Sequence, residues 1–227
     1  MNFKKITILL LGTALSVSAL TAQSISLGTD FVWSGLVEYD ENGNKIHEQN
    51  DYSDCYYEYD ADNHLIHSTI SDEYENAEYW FTYDDKGRLF GQRFEGGECW
   101  YEYDEQNHQI IQHGNGDSNW IYDCDENWNK LHGNNGTIEL WYKYDSNGNV
   151  IYFEDYSDFY IKYYYDSNNH LVKKDENNDF ITYYEYDSNG NLIRETLEYF
   201  PEKWYAYTYW YNGKIKSQIQ FSLKGLE

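Results

Sequence analysis

The sequence predicts an all-β fold in which tandem β-hairpin repeats form a curled or spiralling antiparallel sheet. Three observations carry that expectation: a Tyr-Asp pair that recurs at a short period, a turn residue at a fixed distance after it, and an alternating apolar pattern ahead of it. The pairs are Tyr39-Asp40, Tyr59-Asp60, Tyr83-Asp84, Tyr103-Asp104, Cys124-Asp125, Tyr144-Asp145, Tyr165-Asp166, Tyr186-Asp187 and a degenerate Tyr209-Trp210. They follow one another at steps of 20, 24, 20, 21, 20, 21, 21 and 23 residues, and self-similarity at a period near 20 marks a repeat architecture.

The turn is read first. Asp favours the first corner of a type I turn because its carboxylate bonds its own backbone two residues on, and Gly or Asn then takes the left-handed position that returns the chain. Those two roles fall on Asp40 and Gly43, Asp60 and Asn63, Asp84 and Gly87, Asp104 and Asn107, Asp145 and Gly148, Asp166 and Asn169, and Asp187 and Gly190. Gly213 stands at the same place in the last copy, and Trp128 is the one residue there that does not suit positive φ.

The strands flank the turn. The Tyr and the residues two and four before it form one apolar set, as in Tyr79, Phe81, Tyr83 and in Cys99, Tyr101, Tyr103, while the residue just before the Tyr is mostly polar. That is the period-2 pattern of an amphipathic strand. A second strand follows the turn, marked by Ile46, Ile66, Phe90, Ile110, Leu131, Ile151, Val172 and Ile193. It ends at polar breaks such as Glu95-Gly96-Gly97, Asn115-Gly116-Asp117 and Glu176-Asn177-Asn178-Asp179. Eighteen strands laid flat at about 4.8 Å would exceed the ten or so that a twisted open sheet carries without curling. The Tyr-rich face is expected to be concave, and Lys214, Lys216 and Lys224 to blunt a free edge.

Tyr-Asp-x-x-Gly-Asn-x-(Ile/Leu), repeated every 20 or 21 residues between Val37 and Ser217, resembles the YD repeat of the RHS family. The resemblance implies antiparallel β-strips that spiral into shells, in toxin complexes and surface adhesion proteins, with repeats associated with carbohydrate binding. The conserved core segment and variable toxic tail of full-length members have no counterpart here. The last copy, Tyr209-Trp210-Tyr211-Asn212-Gly213-Lys214, is also similar to MORN-type repeats.

Around the repeats, Lys4 and Lys5, the apolar run Ile6 to Leu20 and the small residue Ala22 read as a secretory signal peptide. The expected organisation is a signal peptide over 1–22, a lead-in over 23–36, the repeat domain over 37–217 and a tail over 218–227. No transmembrane segment is expected after cleavage, which places the product outside the cytoplasm: secreted, periplasmic or at the cell surface. The balance of 16 basic against 40 acidic residues, a formal −24, repels nucleic acid and anionic lipid. Aromatic residues make up 20% and there is one proline, a composition for packing rather than disorder. Cys55, Cys99 and Cys124 are too few for a disulfide framework and read as small apolar residues, with a Cys99 to Cys124 bridge left open.

Candidate ligand-binding residues lie three places before the repeat Tyr: Tyr56, Trp80, Trp100, Trp141 and Tyr183. A row of flat rings beside carboxylates suits sugar, whose C–H faces stack on aromatics and whose hydroxyls donate to acids. The same row would also serve as a second half-core beneath another turn of the spiral. Partners are therefore a glycan or envelope component, or another surface protein. No cofactor is expected. Calcium is a minor candidate, because Asp145-Ser146-Asn147-Gly148-Asn149 and its equivalents start like a calcium loop but lack the closing bidentate Glu. His47, His67 and His132 share one repeat position, and His64, His108 and His170 follow the turn residue, without the spacing of a catalytic zinc site. The acids are periodic rather than gathered round one pocket, so no enzyme is expected.

Overall fold

The structure is a computed structural model that describes residues 31–223 except 75, 115–118 and 199. The expected signal peptide, the Asn115-Gly116-Asp117 break and Lys224 lie outside the described residues. Nine hairpins follow one another. They are β1 (Phe31–Tyr39) with β2 (Lys45–Asn50), β3 (Ser53–Tyr59) with β4 (Leu65–Asp72), and β5 (Asn76–Tyr83) with β6 (Leu89–Phe94). Next come β7 (Gly97–Asp104) with β8 (Gln109–His113), β9 (Trp120–Cys124) with β10 (Lys130–Asn134), and β11 (Glu139–Tyr144) with β12 (Val150–Asp155). The last are β13 (Tyr160–Tyr165) with β14 (Leu171–Glu176), β15 (Phe180–Tyr186) with β16 (Leu192–Leu197), and β17 (Lys203–Tyr209) with β18 (Ile215–Leu223).

Every strand pairs antiparallel with its neighbours in sequence, and β18 also pairs with β1, from Phe31 opposite Leu223 to Glu38 opposite Ser217. The all-β expectation holds, but the curled or spiralling strip is corrected: the sheet closes into a barrel. Closure removes the unpaired N–H and C=O groups that either end of a strip would expose. Lys214 and Lys216 consequently guard no edge. Lys214 Nζ donates to the Asn42 carbonyl (2.8 Å), and Lys216 lies over the Trp210 ring. The degenerate last turn clasps the first one, since Trp210 Nε1 donates to the Tyr39 carbonyl (3.0 Å) and Asn212 Nδ2 to that of Glu41 (3.1 Å).

The turns form as expected, with one exchange. In the first, Gly43 N–H donates to the Asp40 carbonyl, Asp40 N–H donates to that of Asn44, and Oδ1 of Asp40 accepts the N–H groups of Asn42 and Asn44. Residues at the Gly43 position have positive φ in eight copies, including Trp128 at 63°. In the fourth turn the left-handed residue is His108 (φ 52°) rather than Asn107, whose N–H and side chain both donate to Asp104.

That turn has a consequence for the strands. In every other hairpin the register slips between the repeat Tyr, or Cys124, and the residue before it. Ile46, Ile66, Phe90, Leu131, Ile151, Val172, Ile193 and Lys216 are the extra residues of these β-bulges, so the apolar markers Ile46, Ile66, Phe90, Leu131 and Ile151 are exposed. The fourth hairpin has no bulge, and its marker Ile110 stays paired with Tyr103 and buried. A bulge interrupts the backbone ladder, and the next repeat supplies the missing donor. Tyr59 Oη donates to the Lys45 carbonyl, Tyr83 to Leu65, Tyr103 to Leu89, Tyr144 to Lys130, Tyr165 to Val150, Tyr186 to Leu171 and Tyr207 to Leu192, at 2.7 to 3.1 Å. Cys124 replaces the tyrosine in the copy that follows the hairpin without a bulge.

The buried Cys55, Ser68, Ile110, Tyr122, Tyr205 and Tyr207 lie on the tyrosine face, whereas the buried Asp175, Ala206 and Phe221 lie on the other. Burial pushes the Tyr122 and Tyr184 hydroxyls up to about 12. This interior is polar as well as aromatic: Tyr205 donates to Glu195, which Lys203 also meets at 2.9 Å, and Lys130 lies 3.6 Å over the Tyr122 ring. All three cysteines are free, so the Cys99 to Cys124 bridge is absent.

Candidate functional site: an outer belt of stacked aromatics

The bulge also sets what faces outward. It puts the residue before each repeat Tyr opposite a residue of the returning strand, which in turn stands opposite the candidate aromatic of the next hairpin. On β1, β2 and β3 this aligns Glu38, His47 and Tyr56. The same level carries Glu58, His67 and Trp80, then Asp123, His132 and Trp141, then Glu185, Arg194 and Trp204. In these four hairpins acid, base and aromatic ring line up on the outside of the barrel.

Each ring packs on its base. His47 stacks on Tyr56 at 4.5 Å and 12°, His67 on Trp80 at 5.4 Å, and His132 on Trp141 at 5.6 Å. Carboxylates hold the imidazoles in place. Nδ1 of His47 meets Glu38 at 2.9 Å and Nε2 meets Asp54 at 2.6 Å; burial lowers the basicity of this ring, and the two acids outweigh it, so its pKa is raised. His47, His67 and His132 are thus half-buried members of the belt and not exposed turn residues. Arg194 sits between Glu185 (2.8 Å) and Glu202 (2.5 Å), with its guanidinium over Trp204.

The five candidate residues are together on this face, at unequal openness. Both faces of Trp80 are engaged, by His67 and by Arg93 at 4.6 Å. Trp100 stacks on His113 at 5.1 Å, but on its other side the register places Gly91, where five other hairpins carry His47, His67, His132, Lys173 or Arg194. Trp100 is 40% exposed, Tyr56 52% and Tyr183 51%. Among the described residues no further turn of chain covers them, because the sheet is one closed layer, so these residues supply no layer for the half-core alternative. Sequence reasoning noted the shared histidine position and the acidic position separately. It missed their contact with the rings because a pairing without bulges puts them out of step.

The turn rim offers Asp60, Asp62 and His64, ligand atoms within 4.8 Å of one another, as the one such group among the described residues. Asp60 already accepts the N–H groups of Asp62 and His64 and the His64 ring, so turn chemistry accounts for the cluster.

No family model matches the chain, and no curated protein matches it. Among solved structures it is similar to a chain of the TcdB2-TccC3-TEV crystal structure, at TM-score 0.40 and 13% identity over 86% of this chain and 11% of that one. A chain of TcdB2-TccC3-Cdc42 gives 0.37 and 12% over 82% and 11%, and one of the Photorhabdus luminescens Tc holotoxin pore gives 0.34 and 13% over 90% and 14%. The chain therefore spans about a tenth of the length of the first of these neighbours.

Proposed function

We propose that this chain is a secreted or surface-located, non-catalytic binding module that takes carbohydrate or a cell-envelope component on its outer belt, built from repeats that resemble those of the RHS family. The observation that carries this reading is the open side of Trp100. A sugar ring would lay its C–H face on the indole above Gly91, and its hydroxyls would donate to carboxylates such as Glu102, which lies 3.4 Å from His113. Tyr56, stacked on His47, and Tyr183 offer further exposed rings on β3 and β15.

The test is an array of glycans and cell-wall polysaccharides, run with calcium and with chelator. Saturable binding that Trp100→Ala abolishes, with an unchanged circular dichroism spectrum and with Trp80→Ala affecting stability instead, supports the module. A blank array with folded protein turns the reading to a structural or protein-interaction scaffold. The observation in favour of that second reading is Trp80, enclosed on both faces. A scaffold predicts a cost of about 3 kcal/mol or more for Trp100→Ala and Trp141→Ala.

A further inference from the structure

We infer that the saccharide received by the belt is anionic, and that its acid group is held over β11 to β13 by Lys143 and Lys162. This rests on the carbohydrate reading above and specifies its ligand class. In four of the nine hairpins the belt runs acid, base, ring. Here it inverts: Lys143 stands opposite Tyr152, and Tyr152 opposite Lys162, so two bases flank a ring. With the 43%-exposed Tyr164 beside them, they line a depression of about 530 Å³.

The two ammonium groups are uncommitted. Lys45, Lys86, Lys173 and Lys203 each meet a carboxylate, whereas among the described residues Lys143 and Lys162 form no ion pair. Their contacts are the faces of Tyr152 at 4.9 Å and Tyr160 at 4.5 Å, and those two rings stack on each other. Asp175, opposite Lys162, is met by Lys173 at 3.3 Å, and the carboxylates at the edge of the depression accept from other donors. Asp145 accepts the N–H groups of Asn147 and Asn149 and the Asn149 side chain, and Asp166 accepts the N–H groups of Asn168 and His170. Glu154 accepts the Tyr152 hydroxyl at 2.9 Å.

In a chain of formal charge −24 this leaves an open aromatic surface where two lysines without an ion pair offer positive charge, with Asp145 and Asp166 also in its lining. Screening over about 8 Å at physiological salt keeps the distant acids from cancelling it. Two strand spacings, about 10 Å, separate the lysine backbones. An acid group fits between their flexible stems, and the sugar that bears it lies on the Tyr164 ring. Aromatic faces select a saccharide over a bare anion.

The experiment titrates the purified protein calorimetrically with oligogalacturonate, its methyl ester, a sulfated dextran oligomer, neutral dextran and polyglutamate. Binding of the carboxylated or the sulfated sugar, with at least tenfold loss on esterification, is expected. Lys143→Gln and Lys162→Gln should each weaken that binding by about three- to tenfold. Equal affinity for the acid and its ester, indifference to both substitutions, or equal binding of polyglutamate overturns the inference. Binding of neutral dextran alone, lost on Trp100→Ala, overturns the anionic subsite and leaves the binding module standing. Failure of every sugar overturns both.

Discussion

Replacing Tyr144 by Phe removes one oxygen and one hydrogen bond, the 3.0 Å donation to the Lys130 carbonyl. The ring keeps its place, so packing is conserved and the bond is isolated. A neutral hydrogen bond at a half-buried site contributes about 1 kcal/mol net, and leaving a carbonyl at an interrupted ladder without its donor adds to the loss. The expected cost is about 1 to 1.5 kcal/mol, or roughly 2–4 °C per kcal/mol in melting temperature for a chain of this size. Tyr59, Tyr103 and Tyr165 act on separate carbonyls, those of Lys45, Leu89 and Val150, so a triple Phe variant should lose about 3 to 4.5 kcal/mol by simple addition. Urea unfolding followed by circular dichroism reads this as a lower midpoint at constant slope. Tyr142 is the control, because its hydroxyl has no hydrogen-bond partner among the described residues although burial raises its pKa. If Tyr144→Phe costs no more than Tyr142→Phe, the hydroxyl ladder is not what joins the hairpins.

Three further outcomes are expected. Hydrogen bonds from the Asn149 side chain and backbone hold the Asp145 carboxyl below the usual range, so it takes up its proton at lower pH folded than unfolded; its contribution is present above about pH 4 and is lost as pH falls through the folded value. Asp60, Asp104, Asp125 and Asp166 shift the same way, so the urea midpoint should fall steeply below pH 4, and Asp145→Asn should be less stable at pH 7 yet less sensitive to acid. Gly148→Ala, at φ 84° with open space around it, should cost about 1 kcal/mol from backbone strain alone. Gly190→Ala at φ 82° should cost measurably more, because its Cβ would come 2.8 Å from the His170 ring that stacks on Tyr186, and equal melting temperatures would refute that contact. Amide exchange should be fastest between β16 and β17, which pair only through Arg194 with Trp204 and Glu195 with Lys203, and slow protection loss there relative to the β1–β18 seam would argue against it.

The repeat, the turn and the strand pattern were legible because each depends on residues a few places apart. Asp at one corner and Gly or Asn three places on is local chemistry, and the turn forms even where Trp128 takes the left-handed position, its N–H donating to the Asp125 carbonyl. Closure was not legible. Whether eighteen strands spiral or meet depends on accumulated twist and on whether β1 matches β18, and neither follows from one period of the repeat. The bulges were hidden for a related reason. Ile46 reads as an inward strand residue by alternation, and only the pairing of Tyr39 with Lys45 beside that of Glu38 with His47 shows that it is extra. The signal was present in Cys124, the one copy without a tyrosine, which follows the one hairpin whose turn is shifted.

The hydroxyl ladder has a direction: each repeat donates to the carbonyl left by the hairpin before it. In an open strip such a ladder fails at both ends, because the first tyrosine has no predecessor and the last bulge has no successor. Closure joins the two ends through other contacts. Tyr39 Oη turns to Gln218 at 3.5 Å, the longest bond of the series, and Trp210 donates to the Tyr39 carbonyl at 3.0 Å. The last hairpin is the one in which the donor moves back two places, from Tyr209 to the buried Tyr207, which frees Tyr209 to accept from Asn191 at the rim. The degenerate copy is therefore the joint. A tenth regular repeat inserted before it would lengthen the ladder and widen the ring, whereas Trp210→Asp, which restores the regular motif, would remove the indole donor on which the seam depends.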